Sequence, residues 1–125
     1  RQFSDTVSMI TPVMSAEKVA AYRAKVREIH VEEKLISYIA RLVNDTRQNK
    51  SLFLGASPRA SIAILNTSKA MAAIRGRDFI TPEDIREVTL PVMQHRVILT
   101  PEREMEGLKP ADIIRDIIQK IEVPR

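Results

Sequence analysis

In the stretch LGASPRASIAIL, Leu54 to Leu65, the chain turns and enters a helix. Gly55 and Ser57 supply a turn and an N-cap, and Pro58 suits the first helical position, where no backbone N–H is needed. Beyond them ASIAILNTSKAMAAI, Ala60 to Ile74, is apolar or small around most of its circumference. A helix of that kind belongs at the centre of a bundle rather than on its rim. Arg59 interrupts the pattern. It puts a cation in the first turn, at the electropositive end of the helix dipole, at a cost of about 0.3–1 kcal/mol. A solvated arginine tolerates that cost. With an anion in front of it, the same field and the same guanidinium both become favourable.

The flanking sequence supplies partners for a central helix. SAEKVAAYRAKVREIH begins with Ser15 as N-cap and places Val19, Tyr22, Val26 and Ile29 on one face. VEEKLISYIARLVNDTRQN follows, with Leu35, Ile36, Ile39, Leu42 and Val43 on one side and charges on the other. After the central helix, Arg75 and Gly76 form a stop, a basic residue at the negative end followed by a left-handed cap. RDFI is a short extended connector whose Phe79 and Ile80 are expected in the core. TPEDIREVTLPVMQHR restarts a helix with Thr81 as N-cap, Pro82 at the first position and Asp84 closing a capping box. Pro91 should bend or shorten it. Arg96–Leu99 reads as extended, Thr100–Pro110 as a polar loop with a helical turn after Pro101, and PADIIRDIIQKIEV as a last amphipathic helix. Residues 1–14 carry Pro12 and no helical period, so they read as an extended lead-in that packs Val7, Ile10 and Val13. The fold class is all-α, a bundle of about five helices over residues 15–125.

Composition narrows the function. The 125 residues suffice for one domain, with 44% hydrophobic and 29% charged residues, an ordinary globular balance. A net charge of +4 permits contact with an anion without singling out nucleic acid. No cysteine is present, which excludes disulfides and thiolate metal sites. No apolar run reaches the roughly 18 residues of a membrane span, so the reading is a soluble, cytoplasmic chain without a membrane partner. It begins at Arg1 rather than Met, which implies a piece of something longer.

The catalytic inventory is thin. His30 and His95 sit in no metal-ligand spacing, and no metal site is expected. Three glycines leave no room for a phosphate-cradling loop. Ser57, Ser61 and Ser68 lack a nucleophile-elbow context. Nothing here should catalyse a reaction alone. Arg47, Lys50, Arg75 and Arg77 could form a DNA-contacting set, but aromatic interleaving is missing, and the helix from Thr81 offers Glu83, Asp84 and Glu87, which repel phosphates. A stand-alone protein-interaction module is the other alternative.

GASPRA (Gly55–Ala60), RGRDFITPEDI (Arg75–Ile85), HR (His95–Arg96) and the closing IIQKIEVPR resemble, in order and spacing, the C-terminal helical lid of the MoxR group of AAA+ ATPases. The similarity runs from about Leu52 to Arg125; the helices over Ser15–Asn49 fit less distinctively. In such enzymes nucleotide lies between an α/β core and the lid. The resemblance implies that Arg59 is the sensor 2 arginine, reaching the γ-phosphate, with Ser57 and Pro58 on the phosphate side. It implies ATP and Mg²⁺ in the parent protein and none for the isolated fragment, because phosphate loop, Walker B, sensor 1 and arginine finger all belong to a core absent from these residues. The implied partners are that core, to which residues 1–14 would lead, the neighbouring subunits of a hexameric ring, and a client for chaperone-like remodelling. Nucleic acid is disfavoured as a partner.

Overall fold

The computed structural model describes residues 3–125 and bears out the all-α reading. Five long helices carry the fold: α2 (Ala16–Arg27), α3 (Glu33–Gln48), α4 (Pro58–Ile74), α5 (Pro82–Met93) and α7 (Pro110–Lys120). Two short ones accompany them, α1 (Phe3–Ser8) and α6 (Pro101–Met105). Strands β1 (Leu52–Leu54) and β2 (Ile98–Leu99) pair antiparallel, with Leu52 opposite Leu99 and Leu54 opposite Ile98. This ribbon ties the entry of α4 to the exit of α5.

Helix α4 lies centrally, packed on α2, α3 and α5, while α7 closes against α3 and α5. Its centrality comes from a narrow stripe rather than burial all round. Ala60, Ile64, Ser68 and Ala72, four residues apart, are fully buried, while Ile62 and Ile74 face solvent. Small side chains on that stripe let the neighbouring backbones approach closely. The core is completed by Leu35, Tyr38, Leu42, Ile85, Val88, Ile114 and Ile117.

Local chemistry sets the helix ends as expected in most cases. The Ser15 hydroxyl accepts from the Lys18 amide at 3.1 Å, and Thr81 with Asp84 forms the full capping box. Gly76 adopts φ +75°, and the Gly76 and Arg77 amides reach back to the Ala73 and Ala72 carbonyls at 3.0 and 2.9 Å. That pattern terminates α4 in a Schellman motif. Pro91 sits inside α5, which nevertheless continues to Met93.

Several side chains depart from the pattern. Phe3–Ser8 is helical rather than extended, with Asp5 at its favourable N-terminal end and the Ser8 hydroxyl donating to the Asp5 carbonyl at 2.8 Å. Arg1 and Gln2, the start of the expected lead-in, lie outside the described residues. Val7, Ile10 and Val13 are exposed rather than packed, and the buried core is drawn from the helices and ribbon that follow them. In α3, Tyr38 takes the buried position and Ile36 stays outside. In the connector, Ile80 is buried but Phe79 lies on the surface, its ring 5.6 Å below the Arg77 guanidinium.

Candidate functional site

The entry of α4 is fastened to the end of α3. Thr46, buried on α3, accepts the Ala56 amide on its hydroxyl at 2.9 Å and donates to the Val43 carbonyl at 2.6 Å. Arg47 donates from Nε to the Ala56 carbonyl at 2.9 Å, so both backbone groups of Ala56 are held by α3. Gly55 makes the approach possible. A Cβ there would lie 2.6 Å from the Thr46 carbonyl oxygen and 2.7 Å from the Arg47 backbone. The loop therefore delivers Ser57, Pro58 and Arg59 from a fixed platform.

Arg59 projects from that platform into solvent and makes no hydrogen bond or ion pair among the described residues. Ser57 holds the extended N-cap conformation (φ −80°, ψ 169°), yet its side chain caps no amide. Every other described helix has an acidic residue in its first turn, whereas α4 has none. Its dipole is thus left uncompensated and a cation is added, the arrangement that favours an external anion. Beside Pro58 runs an open groove of about 420 Å³, lined by Arg41, Asn44, Arg47, Pro58 and Ser61 with Ala40 and Val43. The structure thus brings Ser57, Pro58 and Arg59 together on one exposed helix end, with two further arginines along one flank.

The opposite end of α4 uses its arginines internally. Asp84 is fully buried, and Arg77 grips it with both guanidinium nitrogens, Nη1 to Oδ2 at 2.8 Å and Nη2 to Oδ1 at 2.6 Å. Arg75 adds Nη1 to Oδ1 at 3.2 Å, and the Thr81 amide donates to Oδ2 at 2.9 Å. Those four donors satisfy the four acceptor positions of a carboxylate. Burial alone would push the Asp84 carboxyl up, but the hydrogen bonds from Arg77 and Thr81 and the Arg77 charge outweigh it and hold the group below its ordinary value. Arg75 also reaches Glu87, Nη2 to Oε2 at 2.5 Å.

This arrangement dismantles the candidate DNA-contacting set. Arg47 is engaged by Ala56, and Arg75 and Arg77 by Asp84, which leaves Lys50 of the four. Asp84, expected on an exposed acidic face, is instead the buried anchor for two of those cations. His30 clips the connector through its backbone, its amide to Asp78 and its carbonyl from Ile80, while His95 is exposed beyond α5. Among the described residues no group of three His, Cys, Asp or Glu could hold a metal, and no helix is long and apolar enough to cross a membrane. Sequence reasoning missed Thr46; its only signal is a polar residue on the otherwise apolar stripe of α3.

Comparison with known proteins assigns the domain. Residues 44–117 match the model of the AAA lid domain. The chain belongs to the AAA lid domain family. It is 32% identical over 121 residues to an uncharacterized protein, YeaC, of Bacillus subtilis, covering 97% of this chain and 38% of that protein. It is 33% identical over 104 residues to chaperone MoxR1 of Mycobacterium tuberculosis, covering 76% of the chain and 28% of the relative. A crystal structure of a candidate ATPase from Cytophaga hutchinsonii superposes with a TM-score of 0.83 at 34% identity, over 87% of this chain and 36% of that one. The chain therefore spans well under half the length of these relatives. The lid of MoxR-type homologues is the part it matches, as the GASPRA and FITPEDI elements imply.

Proposed function

We propose that this lid serves an AAA+ ATPase of MoxR type and presents Arg59 as the sensor 2 arginine to the γ-phosphate of ATP bound on the core. The observation that carries the reading is the unpaired Arg59 on the one helix entry without an acidic first turn, fixed by Gly55, Thr46 and Arg47. Ser57 and Pro58 shape the phosphate side. Pro58 contributes no N–H and presents no acid, and the uncapped Ser57 hydroxyl is free to donate to a phosphate oxygen. In this role Arg59 supplies charge-assisted hydrogen bonds that strengthen as negative charge moves on the transferring phosphoryl group. The Mg²⁺ that accompanies ATP is assigned to carboxylates of the core. ATP hydrolysis, ring assembly with neighbouring subunits, chaperone-like work on a client and a cytoplasmic setting form one proposal, supported by the lid family and by the relative named a chaperone.

The lid would act as a lever. The clamp between α3 and the α4 entry makes the arginine and the helical body one unit, so a shift of Arg59 toward the γ-phosphate moves the whole bundle. Arg59→Ala, in a polypeptide carrying the AAA+ core ahead of this chain, should lower ATP turnover on the order of 10²-fold, the loss typical of removing one preorganised donor. The melting transition of the lid should stay within about 0.5 kcal/mol, as for an exposed substitution. Unchanged turnover in the folded variant would remove the sensor assignment.

A further inference from the structure

A second surface lies between α2 and α4, apart from the Arg59 entry. Helix α2 buries none of its residues, and among the described residues seven of the fifteen exposed large apolar side chains fall within residues 7–22. Between α2 and α4 opens a groove of about 420 Å³ whose lining includes the apolar Met14, Val19, Tyr22 and Val26. Three cations share the lining: Arg23 and Arg27 from α2 and Lys69 from α4. Neither Arg23 nor Arg27 has an ion pair among the described residues, and Lys69 bonds only the Arg27 carbonyl, at 3.2 Å. Helix α2 holds four basic residues against the single acid Glu17. Three like charges around an apolar trough repel one another unless an anion joins them. An apolar concentration of this kind marks a contact surface.

We infer that the α2–α4 groove docks an acidic amphipathic helix of a partner protein, its apolar face on Val19 and Tyr22 and its carboxylates on Arg23, Arg27 and Lys69. The shape favours a peptide over a lipid surface. Apolar and cationic groups line one concavity, whereas an interfacial helix needs its apolar face convex and outermost. The site is independent of Arg59 and requires no nucleotide, so its failure would leave the sensor reading untouched.

The test uses the polypeptide carrying the AAA+ core ahead of this chain and a fluorescein-labelled amphipathic peptide of about 15 residues, four helical turns, built from Glu, Leu and Ala; absence of binding there would overturn the proposal. Fluorescence anisotropy should show saturable binding of this peptide and none of its Lys-for-Glu counterpart. The pair Arg23→Glu and Arg27→Glu should weaken binding at least about tenfold, and Tyr22→Ser should weaken it while the thermal melt stays unchanged. Binding that ignores the charge reversal, or that is equal for the Lys peptide, would overturn the proposal. So would chain retained on phosphatidylserine vesicles without peptide binding, which would assign the surface to membranes. Self-association abolished by the charge reversal, again without peptide binding, would assign it to a second copy of the chain.

Discussion

The two ends of α4 carry arginines with opposite fates. At the C-terminal end, Arg75 and Arg77 converge on the buried Asp84 carboxylate and are neutralised within the domain. At the N-terminal end, Arg59 stands in the unfavourable field of the dipole with no counter-charge among the described residues. The first pair completes the fold; the single arginine has no such partner among the described residues. What separates them is the capping box of α5, which places an acid beside one end, and the acid-free GASPRA turn, which withholds one from the other. Charge alone does not mark a functional arginine. Under the proposed sensor reading it is the absence of a partner, on a backbone held rigid, that does.

The difference can be broken from the Asp84 side. Asp84→Asn removes the carboxylate that Arg77, Arg75 and the Thr81 amide share. Breaking a buried pair costs about 3–5 kcal/mol, reduced here to about 2–4 because the Arg77 and Arg75 side chains keep some water contact. Chemical denaturation at neutral pH reads this loss. The pH dependence has a definite sign. The carboxyl is held below its ordinary value when folded, so its contribution is complete above about pH 3.9 and fades as pH falls through the depressed folded value. The stability gap between wild type and variant should therefore be flat near neutrality and close in acid. A gap that persists unchanged in acid would show that packing, rather than the ion pair, accounts for it.

The same comparison sharpens from the Arg59 side through Gly55. Gly55→Ala puts a methyl group into the Thr46 carbonyl and the Arg47 backbone, atoms that cannot swing aside. The expected cost is about 1–3 kcal/mol of stability, as for other overpacked sites. In a polypeptide with the ATPase core, turnover should fall as well, although Arg59 itself is intact, because its platform has moved. Retained stability and turnover together would show that the approach of the loop to α3 does not position the arginine.

Much of this was legible in advance because it is local. Caps, the Gly76 stop, the five long helices and the anomaly at Arg59 follow from neighbours within a few residues. The two-stranded ribbon was only half visible: Arg96–Leu99 reads as extended, but its partner Leu52–Leu54 is three residues long and announces nothing by period. The sinks for the arginines were hidden for a different reason. Asp84 reads as an exposed cap residue, and only the packing of α4 on α5 brings Arg75 and Arg77 over it and buries the carboxylate beneath them. Phe79 was misplaced because an aromatic after a turn suggests the core, whereas the Arg77 guanidinium lies over its ring on the surface.

The smallest expected effect bears most directly on why α4 begins as it does. Ser57 and Thr81 both occupy N-cap positions followed by proline, and both hold extended backbone angles. The Thr81 hydroxyl accepts the Asp84 amide, whereas the Ser57 hydroxyl caps no amide. Thr81→Ala should therefore cost about 1 kcal/mol, as for an ordinary cap, and Ser57→Ala less than about 0.5 kcal/mol. Equal losses would mean that Ser57 caps α4 in solution and is spoken for. The expected inequality leaves its hydroxyl uncommitted beside Arg59. In the ATPase-bearing polypeptide, Ser57→Ala should then lower turnover while hardly moving the melt, separating a side chain kept for a phosphate from one kept for the helix.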